Sequence, residues 1–196
     1  FDVNKEVKEA IKKIILQKKV HILINNTGGP APGAITEAGI ENLDNAFRQH
    51  VINNQLLVQA VLPGMKKEGY GRIVNIISTS VKIPIANLGV SNTIRAATAA
   101  WAKTLSLEVA QYGITVNNVL PGFTKTQRLE SLIAVNAAKQ NMSADNLAER
   151  MKQQIPARRF GEAAEVAALA AFLASPAASY INGTSIAVDG GSTGAI

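Results

Sequence analysis

Four short segments that are apolar at nearly every position alternate with longer helical patterns along this 196-residue chain. Strands of this kind are typical of a parallel sheet that is covered on both faces, because both sides of each strand are buried. Helical segments between them fit the right-handed crossovers that join parallel strands. The sequence therefore predicts an α/β fold with a doubly wound, Rossmann-like parallel sheet. The predicted strands, as neighbours in this order, are 20–24, 73–77, 114–120 and 185–188.

The segments between the strands carry the helical periodicity. We expect a helix at 4–18 before the first strand, and one long helix at 41–67 that is interrupted near Pro63. The remaining helical segments are 88–112, which is rich in alanine, the polar stretch 125–155, and 162–174.

Composition excludes several classes of protein. The chain has no cysteine, which excludes disulfides, thiolate metal sites and cysteine nucleophiles. No apolar run approaches the ~18 residues of a membrane span, so we expect a cytoplasmic protein without a membrane partner. Six of the lysines lie within the first twenty residues, which favours either a nucleic-acid patch or the solvated face of an amphipathic helix. No arginine or aromatic residue interleaves with them, which favours the helix and predicts no nucleic-acid partner. These lysines are Lys5, Lys8, Lys12, Lys13, Lys18 and Lys19.

A polar site is predicted where the second strand ends. The strand runs directly into Ser78, and Ser91 follows thirteen residues later, near the start of a helix that also carries Arg95. In open α/β sheets, ligands bind at the carboxyl ends of the strands. We therefore expect Ser78, Ser91 and Arg95 to face one cleft.

These residues resemble a motif of the short-chain dehydrogenase/reductase family, in which a Ser at a strand end precedes a Tyr-x-x-x-Lys helix by the same interval. Two further motifs support the resemblance, namely Asn25-Asn26-Thr27-Gly28 after the first strand and Pro121-Gly122 with Thr126 after the third. The segments 155–167 and 178–191 resemble the closing helix and strand of the same family. The chain is most similar to 3-oxoacyl-carrier-protein reductase-like members.

The resemblance implies an NAD or NADP cofactor. The glycine-rich phosphate loop of the family is absent from these residues. We therefore expect residues 1–196 to be one domain that corresponds to the carboxyl-terminal three-quarters of the family fold, with the amino-terminal strands missing. The positions that match cofactor contacts in the family are Asp2, Val3, Asn25, Thr27, Gly28, Arg95, Pro121, Gly122 and Thr126.

The catalytic positions of the family are altered in this chain. The family uses Asn, Ser, Tyr and Lys, and the matching residues here are His50, Ser78, Ser91 and Arg95. A serine hydroxyl is a far weaker acid than a phenol, and an arginine stays charged, so the usual proton donor is missing. His50 is the candidate for a relocated acid or base, because an imidazole ordinarily titrates near pH ~6.5; a structural role in its helix is the alternative.

The resemblance implies an oxidoreductase that reduces a carbonyl or oxidises an alcohol with NAD(P), such as a 3-oxoacyl thioester reductase. The alternative is a catalytically degenerate member that acts as a nucleotide-binding or scaffold protein. The expected partners are a small carbonyl or alcohol substrate and further copies of the chain. Self-association as a homotetramer or homodimer is expected through the helices at 41–67 and 88–112.

Overall fold

The computed structural model of the chain describes residues 3–194. Its centre is a sheet of four parallel strands in the order β1–β2–β3–β4. Order and direction confirm the predicted parallel sheet, and the observed strands start within two residues of the predicted positions. The strands are β1 (Ile22–Asn26), β2 (Gly71–Ile76), β3 (Ile114–Pro121) and β4 (Ser185–Val188).

Helices precede β1 and connect all the strands. None of the helices within residues 3–194 is long and apolar enough to cross a membrane. They are α1 (Val3–Gln17) before β1; α2 (Ile40–Phe47) and α3 (Asn53–Glu68) between β1 and β2; α4 (Gly89–Val109) between β2 and β3; and α5 (Gln127–Lys139), α6 (Ala144–Gln153) and α7 (Ala163–Ala174) between β3 and β4.

The sheet is covered on both faces, as the apolar strands predict. Successive side chains of a strand point to opposite faces. Ile73 of β2 therefore packs with α1, α3 and α4, whereas the next residue, Val74, packs with α7. Met65 of α3 and Leu173 of α7 are fully buried on the two opposite sides. This alternation makes the fold a doubly wound α/β sheet.

The expectation of one helix broken near Pro63 was wrong in its detail. The helix passes through Pro63 and ends at Glu68, where Gly69 takes the left-handed conformation with φ 63°. A proline inside a helix removes one backbone donor, and here the helix continues through that loss. The irregularity lies earlier, in a wide π-type turn at Arg48–Ile52 between α2 and α3. His50 lies in this turn and is 2% exposed.

The amino-terminal helix buries less apolar surface than its sequence predicts. Ile11 is buried in the core beside α3, but Ile14 and Ile15 are 48% and 38% exposed. The helix packs mainly against α3, so only one stripe of its surface is covered. Its lysines are exposed, which agrees with a solvated helix face.

The first strand forms one edge of the described sheet. Among the described strands, β1 pairs with β2 alone. Ile22 and Ile24 are 47% and 43% exposed. Within residues 3–194, β1 is therefore an edge strand that is only partly covered.

Candidate functional site

A cleft of about 960 Å³ lies at the carboxyl ends of β1, β2 and β3. Its floor is formed by the last residues of these strands, and its walls by the start of α4, the start of α5 and one face of α7. The connections after neighbouring strands diverge to opposite faces of a doubly wound sheet, which leaves such a crevice. Ser78, Ser91 and Arg95 all line this cleft, together with Thr27 and Thr126.

A row of asparagines fixes the strands below the cleft. Asn25, Asn75 and Asn118 stand at matching register positions of β1, β2 and β3. Asn25 Nδ2 donates to Asn75 Oδ1 at 2.8 Å, and Asn75 Nδ2 donates to Asn118 Oδ1 at 2.9 Å. Asn118 Nδ2 continues the row to the Ser185 hydroxyl of β4 at 3.0 Å. The row holds four strand ends in register by side-chain hydrogen bonds within a buried layer.

Two serine hydroxyls reach the cleft from different elements. Ser78 follows β2, and its Oγ accepts a hydrogen bond from the Ser80 amide at 3.1 Å. The hydroxyl proton of Ser78 stays available for a ligand, because a hydroxyl donates one hydrogen bond while accepting others. Ser91 lies in the first turn of α4 and is 6% exposed.

Arg95 carries a buried positive charge beside the cleft. Its side chain is 8% exposed. Nη1 donates to the Ile76 carbonyl oxygen at 2.9 Å and Nη2 to the Thr27 carbonyl oxygen at 3.4 Å, while Nε is buried without a partner. Burial, together with the nearby charge of Arg128, lowers the pKa of Arg95 to about 10, so the guanidinium is still charged at pH 7. Arg95 thus ties the ends of β1 and β2 together, while its Nε is left without a partner.

His50 lies behind the cleft and contacts it through Thr27. His50 Nδ1 and Thr27 Oγ1 are 2.6 Å apart, and the other ring nitrogen, Nε2, is buried without a partner. The π-type turn of residues 48–52 widens the helix at His50, and such turns are frequent at functional sites.

The expectation that His50 titrates near its ordinary pKa was wrong. Burial is the main cause that lowers the pKa of His50 from 6.5 to about 4, and the charges of Arg95 and Arg128 lower it further. The imidazole is therefore neutral at pH 7 and works as a hydrogen-bonding group that does not change its charge near neutrality.

The positions from Asn25 to Thr126 that are matched to cofactor contacts surround the same cleft. Thr27, Gly28, Pro121, Gly122 and Thr126 line it. Asn25 lies just below, in the asparagine row. Asp2 lies outside the described residues, and Val3 is described as the first residue of α1.

Gly28 and Gly122, two of the glycines that line the cleft, differ in what a side chain would meet there. A Cβ at Gly28 would meet nothing within 4 Å, so the space beside its backbone is open to a ligand. A Cβ at Gly122 would come within 2.7 Å of the Asp189 Cβ, so Gly122 is required by packing against the segment after β4. Thr126 caps α5, because its hydroxyl accepts a hydrogen bond from the Leu129 amide at 3.3 Å.

Sequence reasoning missed Arg128 and the asparagine row. Arg128 reaches from α5 across the cleft, where Nη1 and Nη2 donate to the carbonyl oxygens of Gly29 and Pro30 at 2.7 Å and 2.8 Å. Its only sequence signal is its place two residues after Thr126. The row had a clearer signal, since Asn75 and Asn118 are amide side chains inside mostly apolar, buried strands. Within the described part of the chain, no three side chains of the metal-ligating types cluster together.

Comparisons with known proteins identify the family. The family model described as Enoyl-(Acyl carrier protein) reductase matches residues 2–193. The NADPH-dependent reductase BacG of Bacillus subtilis is 37% identical over 174 residues, which cover 89% of this chain and 67% of that protein. The 3-oxoacyl-[acyl-carrier-protein] reductase FabG of Staphylococcus epidermidis is 34% identical over 189 residues, which cover 95% of this chain and 72% of the relative.

Solved structures agree with these sequence matches. The crystal structure of YwfH, an NADPH-dependent reductase involved in bacilysin biosynthesis, superposes with a TM-score of 0.91 at 35% identity. The match covers 97% of this chain and 74% of that one. A gluconate 5-dehydrogenase from Burkholderia cenocepacia in complex with NADP and tartrate gives a TM-score of 0.86 at 27% identity, covering 100% and 74% of the two chains. From its fold, its motifs and these relatives, the chain belongs to the short-chain dehydrogenase/reductase family.

Proposed function

We propose that this protein is an NADPH-dependent reductase that acts on the carbonyl group of a small molecule, with 3-oxoacyl compounds as the model substrates. The observation that carries the proposal is that Ser78, Ser91 and Arg95 line one cleft with the positions matched to cofactor contacts. The relatives named NADPH-dependent reductase and 3-oxoacyl reductase support it.

The cleft fits a nicotinamide cofactor in volume and in chemistry. Its size of about 960 Å³ is at the upper end of ligand pockets. The open space beside the Gly28 backbone and the positive charge of Arg95 at the cleft both suit a polar, anionic ligand. Gly28, Arg95 and Thr126 would hold the cofactor, which supplies the hydride when it is bound.

The chain's own residues would act on the substrate oxygen. Hydride addition to a carbonyl leaves negative charge on oxygen, and a fixed donor at that oxygen lowers the barrier. The Ser78 hydroxyl donates to this oxygen, Ser91 offers a second hydroxyl, and the charge of Arg95 stabilises the alkoxide. Donors of this kind act strongly in a cleft whose walls are mostly apolar.

Proton supply to the product oxygen differs from the scheme implied by a Tyr–Lys pair. Thr27 lines the cleft and its hydroxyl is 2.6 Å from His50 Nδ1. We propose that the Thr27 hydroxyl passes a proton from solvent water to the product oxygen, while the neutral His50, which neither gains nor loses a proton, holds this hydroxyl in place. His50 is then a positioning residue for Thr27. Because its pKa is about 4, the rate should be insensitive to His50 titration between pH 6 and 8.

Steady-state oxidation of NADPH with a 3-oxoacyl substrate tests the proposal. Ser78→Ala should lower kcat by about 10²- to 10³-fold, the usual cost of removing one donor to a developing oxyanion. Ser80→Ala is the matched control, because the Ser80 hydroxyl is buried without a partner and its backbone amide, which donates to Ser78, is kept. Equal activity of the two variants would refute the role of Ser78.

The Thr27–His50 pair is tested by a double-mutant cycle. Thr27→Val and His50→Ala should each lower kcat more than they raise KM, and the double variant should be little worse than either single variant. Thr27→Ser keeps a hydroxyl and should restore most of the rate. Independent, additive effects would rule out the shared proton route.

We further propose self-association as a homodimer or homotetramer through α3 and α4. Leu107 on α4 is 70% exposed, and the small residues Ala96 and Ala100 are exposed on the same helix. An apolar surface of this kind is typical of a subunit interface. Light scattering that finds a monomer at micromolar concentration would overturn this. The cytoplasmic location and the single-domain organisation of residues 1–196 stay predictions.

A further inference from the structure

The charges that line the cleft have one sign. We propose that the substrate itself is an anion, namely a carboxylate-bearing carbonyl compound, and that Arg128 is the residue that selects it. The proposal rests on the proposed reductase function for its reaction, but it concerns binding and can be tested without turnover.

Within the described residues, the lining of the cleft includes no aspartate, glutamate or lysine. Its only charged side chains are Arg95 and Arg128. Neither arginine has a carboxylate within 4.0 Å, although five ion pairs occur elsewhere in the described chain. Positive charge that is not paired with a carboxylate, in a cleft with apolar walls, favours the binding of an anionic ligand and disfavours that of a cationic one.

Arg95 is costly to bury without a counter-charge. Arg95 is a buried residue, the acceptors of its guanidinium are two backbone carbonyl groups, and Nε has no partner. Buried charges in proteins are ordinarily paired, because the uncompensated charge loses its hydration. An anion in the cleft would supply the missing charge. Arg95 is matched to a cofactor contact, so its charge can be neutralised by the cofactor. Arg128 is then the charge that remains for the substrate.

Arg128 is placed for that role. It stands in the first turn of α5, and its guanidinium spans the cleft to the loop after β1, held there by the carbonyl oxygens of Gly29 and Pro30. Those acceptors are neutral and the side chain is exposed, so the charge is available to a ligand that enters the cleft. A guanidinium suits a carboxylate, which it can bind with two parallel hydrogen bonds.

The rest of the wall defines the remainder of the substrate. Ile83, Leu88, Leu129 and Leu132 line the cleft and present apolar side chains. The chemical class that fits is therefore a short aliphatic or cyclic chain that bears a carbonyl group and a carboxylate.

Glycine at position 29 keeps Arg128 in place. A Cβ at Gly29 would lie 2.7 Å from Arg128 Nη2 and 2.9 Å from Cζ, so Gly29→Ala must displace the guanidinium. Gly33 lies in the same loop, and a Cβ there would meet nothing within 4 Å. The two alanine variants are thus a matched pair that separates the position of Arg128 from a general effect on the loop.

The first experiment measures binding to the full chain by ligand-observed NMR, with hexanoate and its uncharged analogue hexanamide as probes. Hexanoate should bind at least 10-fold more tightly than hexanamide. Arg128→Gln should weaken the binding of hexanoate by about 10- to 100-fold, which is the effect of losing a hydrogen bond to a charged group. The affinity for hexanamide should change by less than about 3-fold. Gly29→Ala should also weaken the binding of hexanoate. The two controls should leave it unchanged: Gly33→Ala in the same loop, and Lys139→Gln, which removes a cation at the far end of α5.

Three results would overturn the proposal. These are equal affinity for hexanoate and hexanamide, an equal loss for both probes in Arg128→Gln, and a loss of NADPH affinity in Arg128→Gln that leaves hexanoate binding unchanged. The last result would assign Arg128 to a cofactor phosphate.

The second experiment compares turnover of 3-oxohexanoate with that of its methyl ester, which differs in charge. Arg128→Gln should lower kcat/KM for the acid at least 10-fold and leave the ester within 3-fold, with the KM for NADPH unchanged. If neither compound is reduced but the binding differences hold, the reductase proposal fails while the anion site stands. If both compounds are reduced equally well by wild type, the anion site fails while the reductase proposal stands.

Discussion

Acidification of the protein should expose the cost of charging His50. The imidazole is 2% exposed, and burial is the first cause that lowers its pKa from 6.5 to about 4. The unfolded chain, with an ordinary imidazole, takes up its proton at a higher pH than the folded chain. Between pH 6.5 and 4 the unfolded state therefore binds more protons, and the free energy of unfolding must fall as the pH falls. Above pH 6.5 His50 is neutral in both states, so its titration no longer lowers the free energy of unfolding.

The magnitude follows from the two pKa values. With 6.5 for the unfolded chain and about 4 for the folded chain, the loss is about 2 kcal/mol at pH 5 and about 3 kcal/mol at pH 4. A loss of this size is a large part of the stability of a typical domain, about 5–15 kcal/mol.

Urea unfolding of wild type and His50→Gln from pH 7 to pH 4 measures the effect. Glutamine can still hydrogen-bond to Thr27 and does not titrate, so the variant keeps the contact but loses the pH dependence. Carboxylates with lowered pKa, such as Glu165 and Asp189, also destabilise both proteins on acidification, and the difference between the two curves cancels them. We expect wild type to lose about 2 kcal/mol more than His50→Gln between pH 7 and pH 5. Parallel curves, within about 0.5 kcal/mol, would refute a buried neutral histidine.

Three further substitutions test the parts of the fold that support the cleft, each by urea unfolding at pH 7. Asn75→Ala breaks the middle of the asparagine row and removes the partners of Asn25 Nδ2 and Asn118 Oδ1, so it should cost about 2–5 kcal/mol; a cost below 1 kcal/mol would contradict the row's role. Leu173→Ala empties a fully buried position of α7 and should cost about 3–5 kcal/mol, and a neutral result would mean that α7 is not packed on the sheet. Ser143→Ala removes the hydroxyl that accepts from the Asn146 amide at the start of α6 and should cost about 1 kcal/mol, whereas Ser131→Ala, on the exposed face of α5, should cost less.

The sheet could be predicted from the sequence because its signal is local. Each strand is a short, mostly apolar run followed or ended by asparagine, serine, proline or aspartate, and the strand order follows from chain order when every crossover is a helix. Local signals also explain why Ser78, Ser91 and Arg95 could be predicted to share a cleft. Ser78 follows β2, and the other two lie in the first turns of α4, the next helix.

The details of the site depend on contacts between distant residues, and the sequence carries little trace of them. The neutrality of His50 results from its burial in a π-type turn and from the charges of Arg95 and Arg128, neither of which is near it in the chain. Arg128 reaches residues about one hundred positions earlier. The break expected near Pro63 did not occur, because the helix packs on the sheet and tolerates one missing donor.

The proposed function is tested most directly by the transfer of deuterium to 3-oxohexanoate from NADPH in which both hydrogens of the reactive carbon are deuterium, with the full chain and analysis of the product by mass spectrometry. We expect a 3-hydroxy product that carries one deuterium on the carbon bearing the new hydroxyl group, formed far more slowly by Ser78→Ala and at the wild-type rate by Ser80→Ala. If the protein binds NADPH and hexanoate, yet no deuterium reaches the product, the protein binds its ligands without reducing them and the proposed function is wrong.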